Sequence, residues 1–272
     1  SDVLFTSEEA YLDGKFTLGG DSRLVSADLR RAFLSDTADV NGQISRGPNG
    51  SLQVALTGSY LDLSGALPGI GALGDASESN GTPLSVRADV DTLTLGAGLY
   101  VRNADVTWRS TVNGMQKLSA TGNTDDGSAF NIDLDGSSPE GTAIKVVSSD
   151  AGFITSAFLD LDFIEGGRLD IDGTLARDGA PSRFNIVVTD GRLHNAPFLT
   201  QILSLASLRG LADTLGGDGV LFSRIDIPLT VAGDRYVVTG GKAQGPALGL
   251  TANGYLGADS EISVDGVLVP SF

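Results

Sequence analysis

The sequence predicts a mainly β protein built from antiparallel strands, and three observations support this fold class. Apolar and polar residues alternate with a period of two in many segments, which is typical of strands with one buried face and one solvated face. Turn-forming residues recur roughly every ten positions. Glycine accounts for 37 of the 272 residues, about twice its usual share. Together these features favour strands joined by tight turns over helices.

The segment Gly167–Leu175 shows the alternation most clearly. Leu169 and Ile171 fall on one face of this strand, whereas Asp170 and Asp172 fall on the other. Similar apolar faces recur along the whole chain, and we expect about fifteen strands. Further residues that share a face at this spacing are Leu52, Val54 and Leu56; Leu84, Val86 and Val90; Phe130, Ile132 and Leu134; Ile186 and Val188; Ile225, Ile227 and Leu229; Leu248 and Leu250; and Ile262 and Val264.

Two or three short amphipathic helices interrupt the predicted strands. Two of them are expected near residues 151–160 and 197–215, with Asp150 and Asn195 placed as their N-caps. The stretch 65–73 fits a helix or a turn equally well, because a proline and three glycines interrupt it.

The chain contains no segment that resembles a flexible linker. We therefore expect one continuous strand-rich body, with a strand-rich N-terminal part at residues 1–82 and a C-terminal region with the helices at residues 83–272. The two parts meet after the polar loop at residues 74–82, whose sequence is rich in turn formers.

Composition and charge exclude several classes of function. The formal net charge of −16 disfavours nucleic acid as a partner, because phosphate binding requires clustered Lys and Arg. The absence of Cys excludes thiolate ligands and thiol nucleophiles, and the only histidine, His194, cannot form a multi-histidine site. Paired aspartates such as Asp170 and Asp172 alternate with Leu and Ile, so they are interpreted as the solvated face of strands. We therefore expect no enzyme activity, metal or cofactor.

The remaining feature is a large number of aliphatic side chains on one face of many strands. Two architectures account for it equally well at the level of periodicity. In a closed β-sandwich two inner faces bury each other, whereas in an open trough a single curled sheet leaves its aliphatic floor for a ligand. The residues alone slightly favour the sandwich.

Six pieces of the C-terminal region in combination resemble the AsmA-like family of Gram-negative envelope proteins, which includes YhdP and TamB. Two strands, GRLDIDGTL and FNIVVTDGRL, precede the helix segment HNAPFLTQILSLASLRGL, and three strand motifs follow it. The six pieces lie at 167–175, 184–193, 194–211, 217–222 (GDGVLF), 245–254 (GPALGLTANG) and 265–270 (DGVLVP). Residues 85–165 are compatible with the preceding strands of the family, and residues 1–80 carry only the general pattern.

The resemblance implies a periplasmic, bridge-like lipid transfer protein. Members of the family extend from an inner-membrane anchor as a long curled antiparallel sheet, whose hydrophobic groove holds phospholipid acyl chains on their way between the two membranes. Because this chain shows no anchor sequence and stops at Phe272, we expect an excised periplasmic portion. An N-terminal anchor and an outer-membrane contact are then expected of the parent protein only.

With a groove implied, the alternation assigns the side chains that line it. The expected lining is Leu169, Ile171, Ile186, Val188, Ile225, Ile227, Leu229, Leu248, Leu250, Ile262 and Val264. The helix at 197–215 is expected to plug, gate or simply cap one end through Phe198, Ile202, Leu205 and Leu211. Phospholipid is the expected ligand, and an alternative is a non-catalytic envelope scaffold that docks other envelope proteins.

Overall fold

The structure is a computed structural model that describes residues 1–20, 23–47, 49–64, 82–96, 99–112, 114–159, 161–195, 217–257 and 261–270. The chain divides into two compact units, Ser1–Ser137 and Ser138–Phe272. The predicted boundary between residues 82 and 83 falls inside the first unit, in the connection that precedes its sixth strand.

The first unit is a sheet of strands that pair in the order in which they occur along the chain. These strands are β1 (Asp2–Thr6), β2 (Ala10–Leu18), β3 (Leu24–Leu34), β4 (Ala38–Arg46), β5 (Leu52–Asp62), β6 (Leu84–Gly96), β7 (Leu99–Thr111), β8 (Gly114–Asn123) and β9 (Ala129–Asp135). All neighbours run antiparallel except β5 and β6.

The β5–β6 pair departs from the antiparallel sheet that the sequence predicts. Leu52 lies beside Leu84, and Asp62 lies beside Thr94, so the two strands run in the same direction. A parallel pair requires a crossover of a dozen or more residues in place of a tight turn. Residues 63–83 supply that length, and the predicted helix or turn at 65–73 lies in the part of it outside the described residues.

The second unit begins with β10 (Gly141–Ser148), followed by helix α1 (Ala151–Leu159) and the short β11 (Ile164–Glu165). The strands that follow are β12 (Arg168–Ala176), β13 (Ser182–Leu193), β14 (Val220–Ala232), β15 (Arg235–Gln244), β16 (Leu248–Leu256) and β17 (Ile262–Pro270). β10 pairs with β12, β11 pairs with β13, and β12 to β17 pair in chain order, all antiparallel.

The predicted mainly β, antiparallel fold is confirmed at this level. Within each unit, no register among the described residues returns the last strand to the first, so each sheet is open and not closed into a barrel. The predicted helix near 151–160 is present as α1. The predicted helix at 197–215 lies outside the described residues.

Helix α1 begins where the sequence predicts, and local chemistry explains why. The Asp150 carboxylate accepts a hydrogen bond from the backbone N–H of Phe153 at 3.2 Å, which satisfies one of the free donors in the first turn. A Cβ on Gly152 would lie 2.6 Å from the carbonyl oxygen of Ile164, so only glycine allows the helix to approach β11 this closely. Ala151 and Ile154 are buried as a result.

Candidate functional site

One face of the second unit carries apolar side chains in continuous rows that cross the strands. The first row passes through every strand from β10 to β17 except the two-residue β11. Its members, each opposite the next, are Ser148, Leu169, Val188, Ile225, Ala243, Leu250 and Leu268. Because directly opposite residues of paired strands share a face, the row forms one nearly uninterrupted aliphatic band.

Two further rows lie beside the first on the same face. The adjacent row joins Val146, Ile171, Ile186 and Ile227. The next row consists of Ile144, Gly173, Phe184, Leu229, Val238, Gly254 and Val264. We call the face that carries these three rows the apolar face of the second unit.

Of the eleven residues expected to line a groove, the ten with described side chains occupy strand positions on this apolar face. Leu169, Val188, Ile225 and Leu248 are buried. The half-buried members are Ile171, Ile186, Ile227, Leu229 and Leu250. Val264 is 55% exposed, and the backbone of Ile262 pairs with Leu256. The predicted helix residues Phe198, Ile202, Leu205 and Leu211 lie outside the described part of the chain.

Burial changes along the strands of this face. The row that contains Leu169 and Val188 is buried at its first five positions, and Leu193, Val220 and Phe222 are buried still further towards the same end. Helix α1 packs against β11 and β13 in this region. The row that contains Phe184 and Leu229 is only half-buried. On the apolar face, burial is therefore highest in the row beside α1 and lower in the row that contains Phe184 and Leu229.

The first unit has an apolar face of the same construction. A row crosses β2 to β9 through Phe16, Ala27, Ile44, Val54, Val86, Trp108, Leu118 and Leu134. Ala27 and Leu134 are buried, and the other six side chains of this row are half-buried. Trp108 is thus one packing residue among its strand neighbours.

The opposite face of the first unit is polar and carries the carboxylates. The row beside the one just described, on the other face, runs through Lys15, Asp28, Gln43, Ala55, Arg87, Thr107, Ser119 and Asp133. Arg31 Nε lies 2.9 Å from Asp39 Oδ1, and this hydrogen bond holds the pKa of the Asp39 carboxyl below its usual value. Arg30 lowers the pKa of Asp13 in the same way.

The second unit also keeps its carboxylates on strand positions that alternate with the apolar rows. Lys145 Nζ lies 3.5 Å from Asp172 Oδ1, and Arg224 pairs with Asp226 at 2.6 Å. The predicted interpretation of such aspartates as the solvated face of strands agrees with this placement. Among the described residues, no group of three or more His, Asp or Glu side chains comes close enough to hold a metal ion.

His194 follows β13 and is tied to β11 by two interactions. Its backbone N–H donates to the carbonyl oxygen of Phe163 at 2.9 Å, and its Nε2 atom contacts the Glu165 carboxylate. This arrangement anchors the β11 segment beside α1. No spacing pattern in the sequence pointed to Glu165 as the partner of His194.

Several residues of the apolar faces were not selected from the sequence. Phe184 belongs to the same alternation as Ile186 and Val188, so a longer reading of that strand would have included it. Val238 could not be placed in this way, because the β15–β16 register shifts between Val238 and Gly241. Such a bulge changes which residues share a face without an unambiguous sequence signal.

No helix among the residues that the structure describes is long and apolar enough to cross a membrane. No family model matches the chain, and no curated protein or solved structure is significantly similar to it. The resemblance to the AsmA-like family stays a prediction.

Proposed function

We propose that this protein binds the hydrocarbon chains of phospholipids on the apolar faces of its sheets, as a non-catalytic lipid-transfer segment of AsmA-like type in the Gram-negative periplasm. In the proposal, each open sheet curls into a groove whose floor is its apolar face. A parent protein anchored in the inner membrane would use this segment to pass lipid to the outer membrane.

The observation that carries the proposal is the half-buried state of large aliphatic side chains in the middle of long strands. Ile171, Ile186 and Ile227 stand directly opposite one another on three neighbouring strands and are each half-buried. In a closed sandwich such central positions would be covered by a second sheet. Contiguous half-buried apolar surface on a protein that otherwise carries a net charge of −16 favours an apolar ligand.

The expected energetics suit acyl chains rather than headgroups. Each methylene that leaves water for an apolar surface contributes about 0.8 kcal/mol. The strand rows offer aliphatic contacts without charged groups among them, so a chain of many methylenes gains affinity over its whole length. Binding of this kind requires neither a nucleophile nor a metal.

The test compares adjacent residues on opposite faces of β16. Leu250 lies on the apolar face and Thr251 on the polar face. We expect phospholipid to co-purify with the wild-type chain in native mass spectrometry and lipid extraction. Leu250→Asp should reduce lipid occupancy several-fold, because a carboxylate must be desolvated beside the acyl chain. Thr251→Asp should retain the lipid of the wild type.

A second variant keeps the test valid if Leu250→Asp fails to fold. Val264→Asp changes a side chain of the same face that is 55% exposed, so its circular dichroism spectrum should match that of the wild type while its lipid content falls. A wild-type chain that purifies without lipid and takes up none from vesicles contradicts the proposal. Equal lipid content in all variants would contradict it as well.

A scaffold that docks other envelope proteins is the second candidate, and one observation favours it. β17 pairs in register with β16 and exposes valines on both of its faces, namely Val264 on one face and Val267 and Val269 on the other. A strand of this kind can accept a strand of a partner. This function predicts a lipid-free chain with a protein partner whose binding is lost in Val267→Lys.

A further inference from the structure

The outer edge of β1 is unpaired among the described residues of the first unit. β1 pairs with β2 on one side over its whole length, and no other strand of the unit lies beside it. All five of its residues are exposed, including Val3 at 37%, Leu4 at 69% and Phe5 at 54%. These side chains are therefore not covered, on either face, by any element that the structure describes.

The hydrogen bonds between β1 and β2 show which residues of β1 point to this outer edge. Ser1 and Phe16 exchange two backbone hydrogen bonds, at 2.7 and 2.8 Å. Hydrogen-bonded and non-hydrogen-bonded pairs alternate along an antiparallel ladder, so the odd-numbered residues of β1 bond to β2. Asp2, Leu4 and Thr6 therefore direct their N–H and C=O groups outward.

This edge lacks the protection that edge strands usually carry. A lysine, a proline or an inward-pointing charge normally discourages pairing with another chain. The charge on β1 is Asp2, at the beginning of the strand, and it is compensated: Arg30 Nη1 lies 3.4 Å from its carboxylate, and Lys15 lies opposite on β2. β17, which also exposes valines, has Asp265 in its middle, opposite Asn253. β1 is thus the less protected of the two strands.

β1 is complementary to a second copy of itself. In a new antiparallel pair, residues whose backbone groups point outward must form the hydrogen-bonded pairs. Among the two-fold registers that obey this rule, the one centred on Leu4 uses all five residues of the strand. Asp2 then lies opposite Thr6 of the second copy, so no like charges meet. Val3 lies opposite Phe5, and such pairs of a β-branched and an aromatic side chain stabilise sheets.

The same register continues both faces of the sheet. Val3 and Phe5 lie on the face that carries Phe16, which belongs to the apolar row of the first unit. Leu4 lies on the opposite face, beside Asp13. A second copy in this register covers apolar side chains on both faces at once, which removes apolar surface from water.

We infer that two copies of this chain pair through the outer edges of their β1 strands, antiparallel and with Leu4 at the two-fold axis. About six backbone hydrogen bonds join the two edges, two at the Leu4 pair and two at each pair of Asp2 with Thr6. The apolar face of the first unit then continues from one copy into the other. Because only five residues of each copy take part, the interface is small and the dimer is weak.

The inference does not rest on acyl-chain binding by the apolar faces. Pairing uses residues of β1, and none of them belongs to the rows proposed to bind lipid. Leu250→Asp should therefore leave the dimer unchanged, and Leu4→Lys should leave the lipid content of each chain unchanged. Failure of the lipid proposal and failure of the pairing proposal are separate results.

Analytical ultracentrifugation of the full chain over a series of concentrations tests the pairing. We expect a monomer–dimer equilibrium for the wild type. Leu4→Lys should weaken dimerisation at least about tenfold, because two like charges then lie directly opposite each other and the leucine contact is lost. Leu4 is 69% exposed, so the circular dichroism spectrum of this variant should match that of the wild type. The matched control Leu34→Lys changes an exposed leucine of β3 and should dimerise like the wild type.

Single cysteines test the register, because the chain contains no cysteine of its own. Leu4→Cys brings two thiols to directly opposite positions with Cα atoms about 5.5 Å apart, a distance at which a disulfide forms. Val3→Cys places its two thiols on diagonal positions roughly 7–8 Å apart, which is too far. Under mild oxidation we expect a covalent dimer for Leu4→Cys and for the double variant Val3→Cys, Phe5→Cys, but not for Val3→Cys alone.

Four results would overturn the inference. The first is a wild-type chain that stays monomeric up to about 1 mM protein. The second is equal cross-linking of Leu4→Cys and Val3→Cys, and the third is an equal loss of dimer in Leu34→Lys. The fourth is growth beyond the dimer that Val267→Lys abolishes, because it would show that β1 of one copy pairs with β17 of another.

Discussion

Two rows of apolar side chains, one in each unit, follow the same alternation but are buried to different degrees. In the second unit, the row beside α1 is buried at its first five positions, with Leu169 at 0% and Val188 at 2% exposure. In the first unit, a row of eight strand positions has only Ala27 and Leu134 buried, and its larger members stay half-buried. Identical alternation in the sequence therefore produces a buried row beside α1 in one unit and a half-buried row in the other, where positions further along the same strands, such as Val90 and Ala104, are buried.

The difference shows that the elements packed over an apolar face, and not the alternation along its strands, decide how deeply its side chains are buried. Helix α1 and the β11 segment tied to His194 lie against the sealed end of the second unit. A sealed strip stabilises its unit, whereas an accessible strip is free to bind. Both kinds of surface are present on the apolar face of the second unit, in neighbouring rows of the same strands.

The largest expected effect comes from placing a charge in the sealed strip. Leu169→Asp should cost at least about 3 kcal/mol of the free energy of unfolding, because a carboxylate without a partner would be buried. Val54→Asp, in the half-buried row of the first unit, should cost about 1 kcal/mol. Hydrogen exchange of peptides from β12 to β14 measures the loss in Leu169→Asp, and hydrogen exchange of peptides from β4 to β6 measures the loss in Val54→Asp. Equal losses would show that the two strips are covered alike.

A smaller effect is expected where strands approach closely in both units. A Cβ on Gly58 would lie 2.2 Å from the Asp39 carbonyl oxygen, and one on Gly173 would lie 2.5 Å from that of Arg183. Gly58→Ala and Gly173→Ala should each cost about 1–3 kcal/mol through overpacking. Gly249→Ala meets nothing nearer than 4.0 Å and should change stability by less than about 0.5 kcal/mol in urea unfolding. A neutral Gly173→Ala would mean that close packing is confined to the first unit.

The smallest expected effect is a difference between the two units in how their stability depends on pH. The described carboxyl groups whose pKa is lowered, which include Asp13, Asp39 and Asp126, belong to the first unit. A pKa that is lower in the folded state stabilises the fold above the unfolded value of 3.8, and this contribution is lost as the pH falls through the folded pKa. Trp108 fluorescence should therefore report a lower urea midpoint for the first unit at pH 3 than at pH 7.

The control for this effect is Asp39→Asn, which removes the Arg31 pair. Its urea midpoint should depend less on pH between 7 and 3 than that of the wild type. Hydrogen exchange in β12 to β14 should change less over the same range. An acid-induced loss of equal size in both units would contradict the assignment to the first unit.

Strands and faces could be predicted from the sequence because they follow from local alternation. Leu169, Ile171, Ile186 and Val188 were placed on one face without knowledge of pairing, and the register agrees. The parallel β5–β6 pair could not be predicted, since both directions of pairing use the same alternation.

The degree of burial and the placement of the turns lay beyond sequence reasoning for different physical reasons. Burial depends on which element covers a face, and α1 is close in sequence only to β10 and β11. The end at which a turn lies depends on the directions of all the strands before it. Arg23 and Arg109 are far apart in the chain, and only the register of the intervening strands brings their hairpin tips to the same side.

The parallel crossover at residues 63–83 has a topological effect on the whole first unit. In an uninterrupted meander, turns alternate between the two ends, and a hairpin in place of the crossover would shift the phase of every later turn. The β7–β8 tip with Val112 would then join Glu8 and Glu9, and the β8–β9 tip with Asp125 would join Arg23. The crossover thus determines at which end of the strands each later hairpin turn of the first unit lies.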